Sequence, residues 1–129
     1  MPVQVTTIMI GVEDLDRAKK FYGEGLGCEI DKDFPGFVLL NLGAGSSSLA
    51  LYQREAAAKD AGVPAEGSGF RGVSFHCIVT SQEEVDEVIG AAEAAGGKVV
   101  KQPEGAKWGG YSGYFSDPDG HLWKVACQS

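Results

Sequence analysis

Hydrophobic and polar positions along the chain form a pattern that runs once, stops and starts again. Val3 to Val12 is β-branched and apolar, as a buried strand would be. At Glu13-Asp14-Leu15-Asp16 the period changes. Asp14 suits a helix N-cap, and Leu15, Ala18, Phe21 and Tyr22 share one helical face. Gly23, Gly25 and Gly27 are expected to end that helix. Three strand-like pieces follow, Cys28 to Lys32, Phe37 to Leu42 and Ser48 to Tyr52. Phe34-Pro35-Gly36 and Gly43-Ala44-Gly45 turn the chain between them. Residues 54–62 predict a short helix and residues 64–72 a linker.

Then the pattern restarts. Gly72 to Thr80 is another apolar strand. Ser81-Gln82-Glu83-Glu84 reads as a capping box, followed by a helical face of Val85, Val88, Ile89 and Ala92 that Gly96-Gly97 stops. Lys98 to Lys101, Gly113 to Ser116 and Leu122 to Cys127 predict three strands, the last two joined by a turn at Asp117-Pro118-Asp119-Gly120. The order is therefore βαβββ, a linker, and βαβββ again. Val12 aligns with Val79, each strand running straight into its helix. A period of roughly 65 residues is too long for a solenoid and points to a tandem duplication. The alternative is an α+β domain whose halves agree by chance. On the duplication reading one domain spans residues 1–129, with module 1 over 1–53, the linker over 54–72 and module 2 over 73–129.

Composition narrows the chemistry. The chain has 129 residues, 43% of them hydrophobic, which is enough to bury a core without staples. Eleven Lys and Arg among eighteen acids leave a net charge of -7. That balance gives no basic face for a nucleic-acid backbone, so no nucleic-acid partner is expected. No apolar stretch approaches the roughly 20 residues of a membrane span. The N-terminus lacks a basic region followed by an apolar run, so no signal peptide is expected. Cys28, Cys77 and Cys127 are odd in number and widely spaced, which argues against a disulfide framework and for a reducing, cytoplasmic setting. Cys77 and Cys127 lie in apolar runs and read as core residues. There is no G-x-S-x-G, P-loop or Rossmann glycine pattern, because the glycines of GEGLG follow a helix.

Two strings carry more. DRAKKFYGEGLG, residues 16–27, follows a strand ending in Val12-Glu13-Asp14, and WGGYSGYFSDPDGHLWKVA spans residues 108–126. Both resemble the vicinal oxygen chelate superfamily, which includes glyoxalase I, bleomycin resistance proteins, fosfomycin resistance enzymes and extradiol dioxygenases. The resemblance covers nearly the whole chain. It implies an α+β fold of two tandem βαβββ modules, whose mixed sheets curl into an open cleft with helices on the convex side. It also implies a homodimer with the cleft near the interface.

Enzymes of that superfamily hold a divalent metal with side chains from the first and last strands of each module. His nitrogens and carboxylate oxygens suit such a cation because they donate lone pairs. Carried over position by position, the resemblance puts Thr7 at the first His, seven residues before Asp14. It puts Ser74 at the second His, five before Val79. Ala50 falls at the end of the first module, and Lys124 at the usual Glu, four after Gly120. None is a good ligand. A protonated Lys124 would repel a cation by an amount on the order of several kcal/mol at short range. The expectation is a metal-free member with no metal site and no cofactor. His76 lies two residues past Ser74, on the same face, and is the one catalytic candidate. No partner for it is recognisable in sequence, and its plainer role is a hydrogen-bonded polar residue in the wall. His121, after the turn, is expected to be solvent-exposed.

With Thr7 and Ser74 inward, alternation puts Val5 and Met9, then His76 and Ile78, on the cleft face. Ser48, Ala50 and Tyr52 share a face, as do Leu122, Lys124 and Ala126. Phe34, Phe37, Trp108, Tyr111 and Tyr114 are expected on loops around the cleft, where they would stack on a flat ligand or close the ends of the fold. Trp123 should face the helix as core. The expected ligand set is Thr7, Met9, Phe37, Ala50, Tyr52, Ser74, His76, Trp108, Tyr111, Tyr114 and Lys124. A small, mostly apolar cleft suits a bulky, partly aromatic compound, an antibiotic or natural product, held by sequestration. The other function class is a lyase, isomerase or dioxygenase of the same superfamily, and a module with no ligand is a third.

Overall fold

The computed structural model describes residues 4–67, 69–107 and 109–128. Two compact units divide the chain, Met1–Glu66 and Gly67–Ser129.

In the first unit the apolar run forms β1 (Thr7–Val12). It leads into α1 (Leu15–Lys20), which tightens into a π-helical turn over Phe21–Gly25. Asp14 caps α1, its carboxylate accepting from the Arg17 N–H at 3.0 Å. The helical path runs through Gly23 and Gly25. Only Gly27 ends it, at φ 74, while the Cys28 N–H bonds back to the Tyr22 carbonyl at 2.9 Å. A left-handed residue at that point favours glycine. Strands β2 (Glu29–Phe34), β3 (Phe37–Asn41) and β4 (Ser48–Gln53) follow, then α2 (Arg54–Ala61), where a short helix was expected. The sheet order is β1-β4-β3-β2, with β1 and β4 parallel and the other pairs antiparallel. Ile10, Val12, Val38, Leu40, Leu49 and Leu51 are buried with Ala18, Phe21 and Tyr22 from the helical segment. Phe21 and Tyr22 meet edge to face at 4.9 Å.

The second unit repeats the plan with β5 (Ser74–Ile78), α3 (Gln82–Ala94), β6 (Lys98–Gly105), β7 (Tyr111–Ser116) and β8 (Leu122–Cys127). Its order is β5-β8-β7-β6, with β5 and β8 parallel. Ser81 caps α3, accepting from the Glu84 N–H at 3.2 Å. The Glu84 carboxylate receives the hydroxyls of Ser81 and Thr80, a variation on the expected capping box. Val85, Ile89 and Ala92 of α3 are buried with Phe115, Val125 and Cys127. β6 runs past the expected Lys101 to Gly105, with register shifts on both sides of Lys101. It is an edge strand carrying Pro103, which has no N–H to give to a ladder.

The duplication is visible in the ladders. Met9 faces Ala50 across the parallel pair of the first unit, and His76 faces Lys124 across that of the second. Thr7 then corresponds to Ser74, the same offset that aligns Val12 with Val79.

Candidate functional site

Each sheet buries one face against its helix, which leaves a second, open face. In the first unit the pleat assigns Thr7, Met9 and Gly11 of β1 to the open face, since Ile10 and Val12 are core. Cross-strand partners share a face. Met9, Ala50, Leu39 and Lys32 therefore form one row, and Gly11, Tyr52, Phe37 and Phe34 a second. Met9 is 44% exposed and Phe34 55%, whereas Ala50 is buried between its neighbours. Phe37 and Tyr52 meet edge to face at 6.1 Å. Apart from Lys32 at the β2 edge, these two rows are apolar and aromatic. Gly11 belongs there for a steric reason: a Cβ would lie 3.1 Å from the Arg54 Cα, where α2 starts.

The open face of the second unit has different chemistry. His76, Lys124, Tyr114 and Lys101 line up across β5, β8, β7 and β6. Ser74, Leu122, Ser116 and Lys98 form the row on one side, and Ile78, Ala126, Ser112 and Glu104 the row on the other. Ser74 Oγ and His76 Nε2 are 3.1 Å apart, so His76 has a hydrogen-bonding partner two residues away on its own strand. The Lys124 ammonium stands 5.9 Å from the centre of the Tyr114 ring, within cation–π reach. Lys101 pairs with Glu104 at 3.6 Å.

Most of the expected ligand set falls on these faces: Thr7, Met9, Phe37, Ala50 and Tyr52 on the first sheet, and Ser74, His76, Tyr114 and Lys124 on the second. Trp108 lies outside the described residues. Tyr111 departs from expectation. It faces α3, donating its hydroxyl to Asp86 Oδ1 at 2.8 Å, and that bond is the main reason its pKa is raised above 10.0. Tyr111 and Tyr114 are three apart on one strand, so the pleat sends them to opposite faces. Phe34, Phe37, Tyr111 and Tyr114 are strand residues and not loop residues: β2 extends to Phe34 and β7 starts at Tyr111, beyond the expected bounds, while Phe37 and Tyr114 lie within the strands expected there. Trp123 is on the helix side as expected, stacked 5.9 Å from Phe115 and tilted against Phe75 at 5.0 Å. The sequence reading missed Leu39, Lys101 and Ser112. Leu39 was legible from alternation with the buried Val38 and Leu40, but the bulges in β6 hid the face of Lys101.

The Asp117-Pro118-Asp119-Gly120 turn is built around a buried carboxylate. Asp117 Oδ1 accepts from the N–H groups of Asp119 and His121 at 2.9 and 2.8 Å. Arg71 reaches into the turn, donating to the Asp119 carbonyl at 2.8 Å and to His121 Nδ1 at 3.2 Å. His121 is thus half-buried against a guanidinium, not solvent-exposed as expected. A guanidinium only donates, so the ring proton of His121 sits on Nε2.

The residues at the four positions where the superfamily's enzymes place metal ligands do not fit a divalent cation. Thr7 and Ser74 offer neutral hydroxyls, Ala50 offers nothing, and Lys124 brings a positive charge. Among the described residues, no three His, Cys, Asp or Glu side chains gather closely enough to hold a metal ion.

Comparison with known proteins places this geometry. The family model described as the glyoxalase/bleomycin resistance protein/dioxygenase superfamily matches residues 4–125. A glyoxalase-related enzyme from Fulvimarina pelagi is 30% identical over 96% of this chain and 87% of its own, with a TM-score of 0.85. A lactoylglutathione lyase from Agrobacterium tumefaciens is 27% identical over 98% of this chain and 95% of its own, with a TM-score of 0.71. A glyoxalase/bleomycin resistance protein/dioxygenase family enzyme from Burkholderia phytofirmans PsJN is 21% identical over 98% of this chain and all of its own. Its TM-score of 0.86 shows the shared fold. Among curated proteins none matches the chain.

Proposed function

Since the chain belongs to the glyoxalase/bleomycin resistance protein/dioxygenase superfamily, we propose that it binds a small organic molecule on an open sheet face and sequesters it without a metal. The chemistry of four residues supports this reading: the family resemblance sets Thr7, Ala50, Ser74 and Lys124 at the positions of cation ligands, and an ammonium is the opposite of a ligand. The ring-bearing surface at Met9, Phe34, Phe37 and Tyr52 supports a bulky, partly aromatic ligand.

Elemental analysis of protein dialysed against a chelator tests the metal claim. A stoichiometric divalent metal that survives dialysis overturns it. A thermal-shift screen against polycyclic antibiotics and flavin-like compounds tests binding. Ligand at a hundred times its Kd stabilises the native state by about 2.7 kcal/mol, so a true ligand raises the melting temperature in a concentration-dependent way.

A second reading is a metal-independent lyase or isomerase. The Ser74–His76 contact favours it, since His76 then has a hydrogen-bonded setting for acid or base work. Two relatives named as a glyoxalase-related enzyme and a lactoylglutathione lyase point the same way. Turnover of a screened compound that His76→Gln abolishes, with binding retained, would select this reading over sequestration.

A further inference from the structure

The open face of the second sheet concentrates positive charge in an acidic chain. The register sets Lys98, Lys101 and Lys124 on it against a single carboxylate, Glu104, whereas the whole chain carries a net charge of -7. The corresponding face of the first sheet has no such excess: Met9, Ala50 and Leu39 occupy the positions that His76, Lys124 and Tyr114 hold here, and Lys32, at the position of Lys101, is offset by Glu29 on the same strand. Both faces share one plan, and at the three inner positions of the row the second has His76, Lys124 and Tyr114 where the first has Met9, Ala50 and Leu39.

Those donors stand close together. Neighbouring strands are about 4.8 Å apart, so His76, Lys124, Tyr114 and Lys101 span roughly 14 Å. Lys124 is at the middle of the sheet, half-buried, with its ammonium beside the Tyr114 ring. A central lysine with a shortened reach into water is a better anion holder than one at an edge, because less solvent screens it. The Ser74 hydroxyl and the His76 ring lie next to it, and Ser112 and Ser116 add hydroxyls in the flanking rows. Ammonium, imidazole and hydroxyl groups are the set that satisfies a carboxylate or phosphate, which is acceptor-only and wants several donors.

We propose that this face recognises an oxyanion on the ligand, a carboxylate or a phosphate, with Lys124 as the principal contact and the Ser74–His76 pair beside it. The inference deepens the binding reading by naming the ligand's chemical class, and it rests on that reading. It also explains why a cation is unwelcome at the fourth ligand position: the site has the opposite polarity.

The test uses the full chain, labelled with nitrogen-15 and titrated with benzoate, phenyl phosphate and benzamide. Benzoate or phenyl phosphate should shift the backbone amides of Ser74, His76, Tyr114 and Lys124, and the comparison of the two identifies the preferred oxyanion. Benzamide, the same ring without the charge, should bind at least tenfold more weakly. Lys124→Met should weaken the anion by about tenfold or more, the range for a hydrogen bond to a charged group. Lys124→Arg should restore most of the affinity, and Lys20→Met, on α1, should change nothing. Equal effects of benzoate and benzamide overturn the proposal. So does an anion response centred away from these residues, or none. Should Lys124→Met fail to fold, the anion-against-amide comparison on the unaltered chain still decides. Metal content is read separately: a resident metal with anion preference intact sinks the metal-free reading alone.

Discussion

Gly113 on β7 offers a sharp test of the packing. It is buried, and its φ is unremarkable, so only space demands glycine there. A Cβ at this position would lie 2.9 Å from the Lys101 carbonyl oxygen and 3.0 Å from the nitrogen and Cγ of Pro103. Ordinary contact begins at 3.4 Å, so the β6 backbone must retreat by about half an ångström. The obstacle is mostly main chain held in a bulged ladder and not a flexible side-chain tip. Overpacking of this kind costs about 1–3 kcal/mol. Lower chain entropy in the unfolded state returns about 0.4–1 kcal/mol. The net expectation for Gly113→Ala is a loss of about 1–2 kcal/mol. With an unfolding entropy of about 2.1 cal/mol/K per residue, that is a drop of roughly 4–8 °C in melting temperature. Gly90→Ala is the matched control: it lies exposed on α3 with nothing within 4 Å of the added Cβ. Helix propensity predicts a gain there of about 1 kcal/mol. Calorimetry and urea unfolding followed by circular dichroism measure both. If Gly113→Ala melts at or above the parent while Gly90→Ala behaves as expected, the close approach of β6 to β7 is not as described.

Gly120→Ala should cost about 1–2 kcal/mol in urea unfolding, because φ is 86 and Arg71 Nη2 already stands 3.3 Å from the new methyl. Tyr111 is neutral when it donates to Asp86, and its folded pKa is raised by that bond first, then by desolvation and charge. A raised pKa means stabilisation that is present below pH 10 and lost as pH climbs through the folded value. The urea midpoint of the parent should therefore fall more between pH 9 and 12 than that of Tyr111→Phe, and parallel curves would refute the bond. Burial raises the thiol pKa of Cys28, and burial followed by the charge of Glu84 raises that of Cys77. Both should react with iodoacetamide at pH 8 more slowly than free glutathione, as followed by mass spectrometry of intact protein. Rapid labelling of either would show the thiol to be exposed.

Local chemistry made much of the fold readable. Asp14 and Ser81 marked helix starts because a short oxygen-bearing side chain can satisfy a free N–H. The apolar run from Phe37 marked a strand, and the structure buries Val38 and Leu40 on one face and leaves Phe37 and Leu39 on the other. Boundaries were less readable. Gly23 and Gly25 look like stops, yet the helical path continues through them, and Phe21 and Tyr22 are fully buried within it. The strand expected over Lys98 to Lys101 runs on through Pro103 to Gly105, since at a sheet edge a missing N–H does little harm.

The candidate site divides along the same line. The resemblance set Thr7, Ser74 and Lys124 at the cleft, and period-two alternation then carried Met9 and His76 to the same faces, because that property follows from one strand at a time. The sequence by itself therefore determined the duplicated βαβββ order, the helix caps and the alternation of faces along each regular strand. Tertiary structure alone decided which strands are neighbours, and with them the row from His76 through Lys124 and Tyr114 to Lys101. It also sent Tyr111 to Asp86 and joined Arg71 to a turn some fifty residues away. The reason is physical: a strand's pleat is a local property, whereas register and bulges come from packing between segments distant in the chain, which no short stretch of residues encodes.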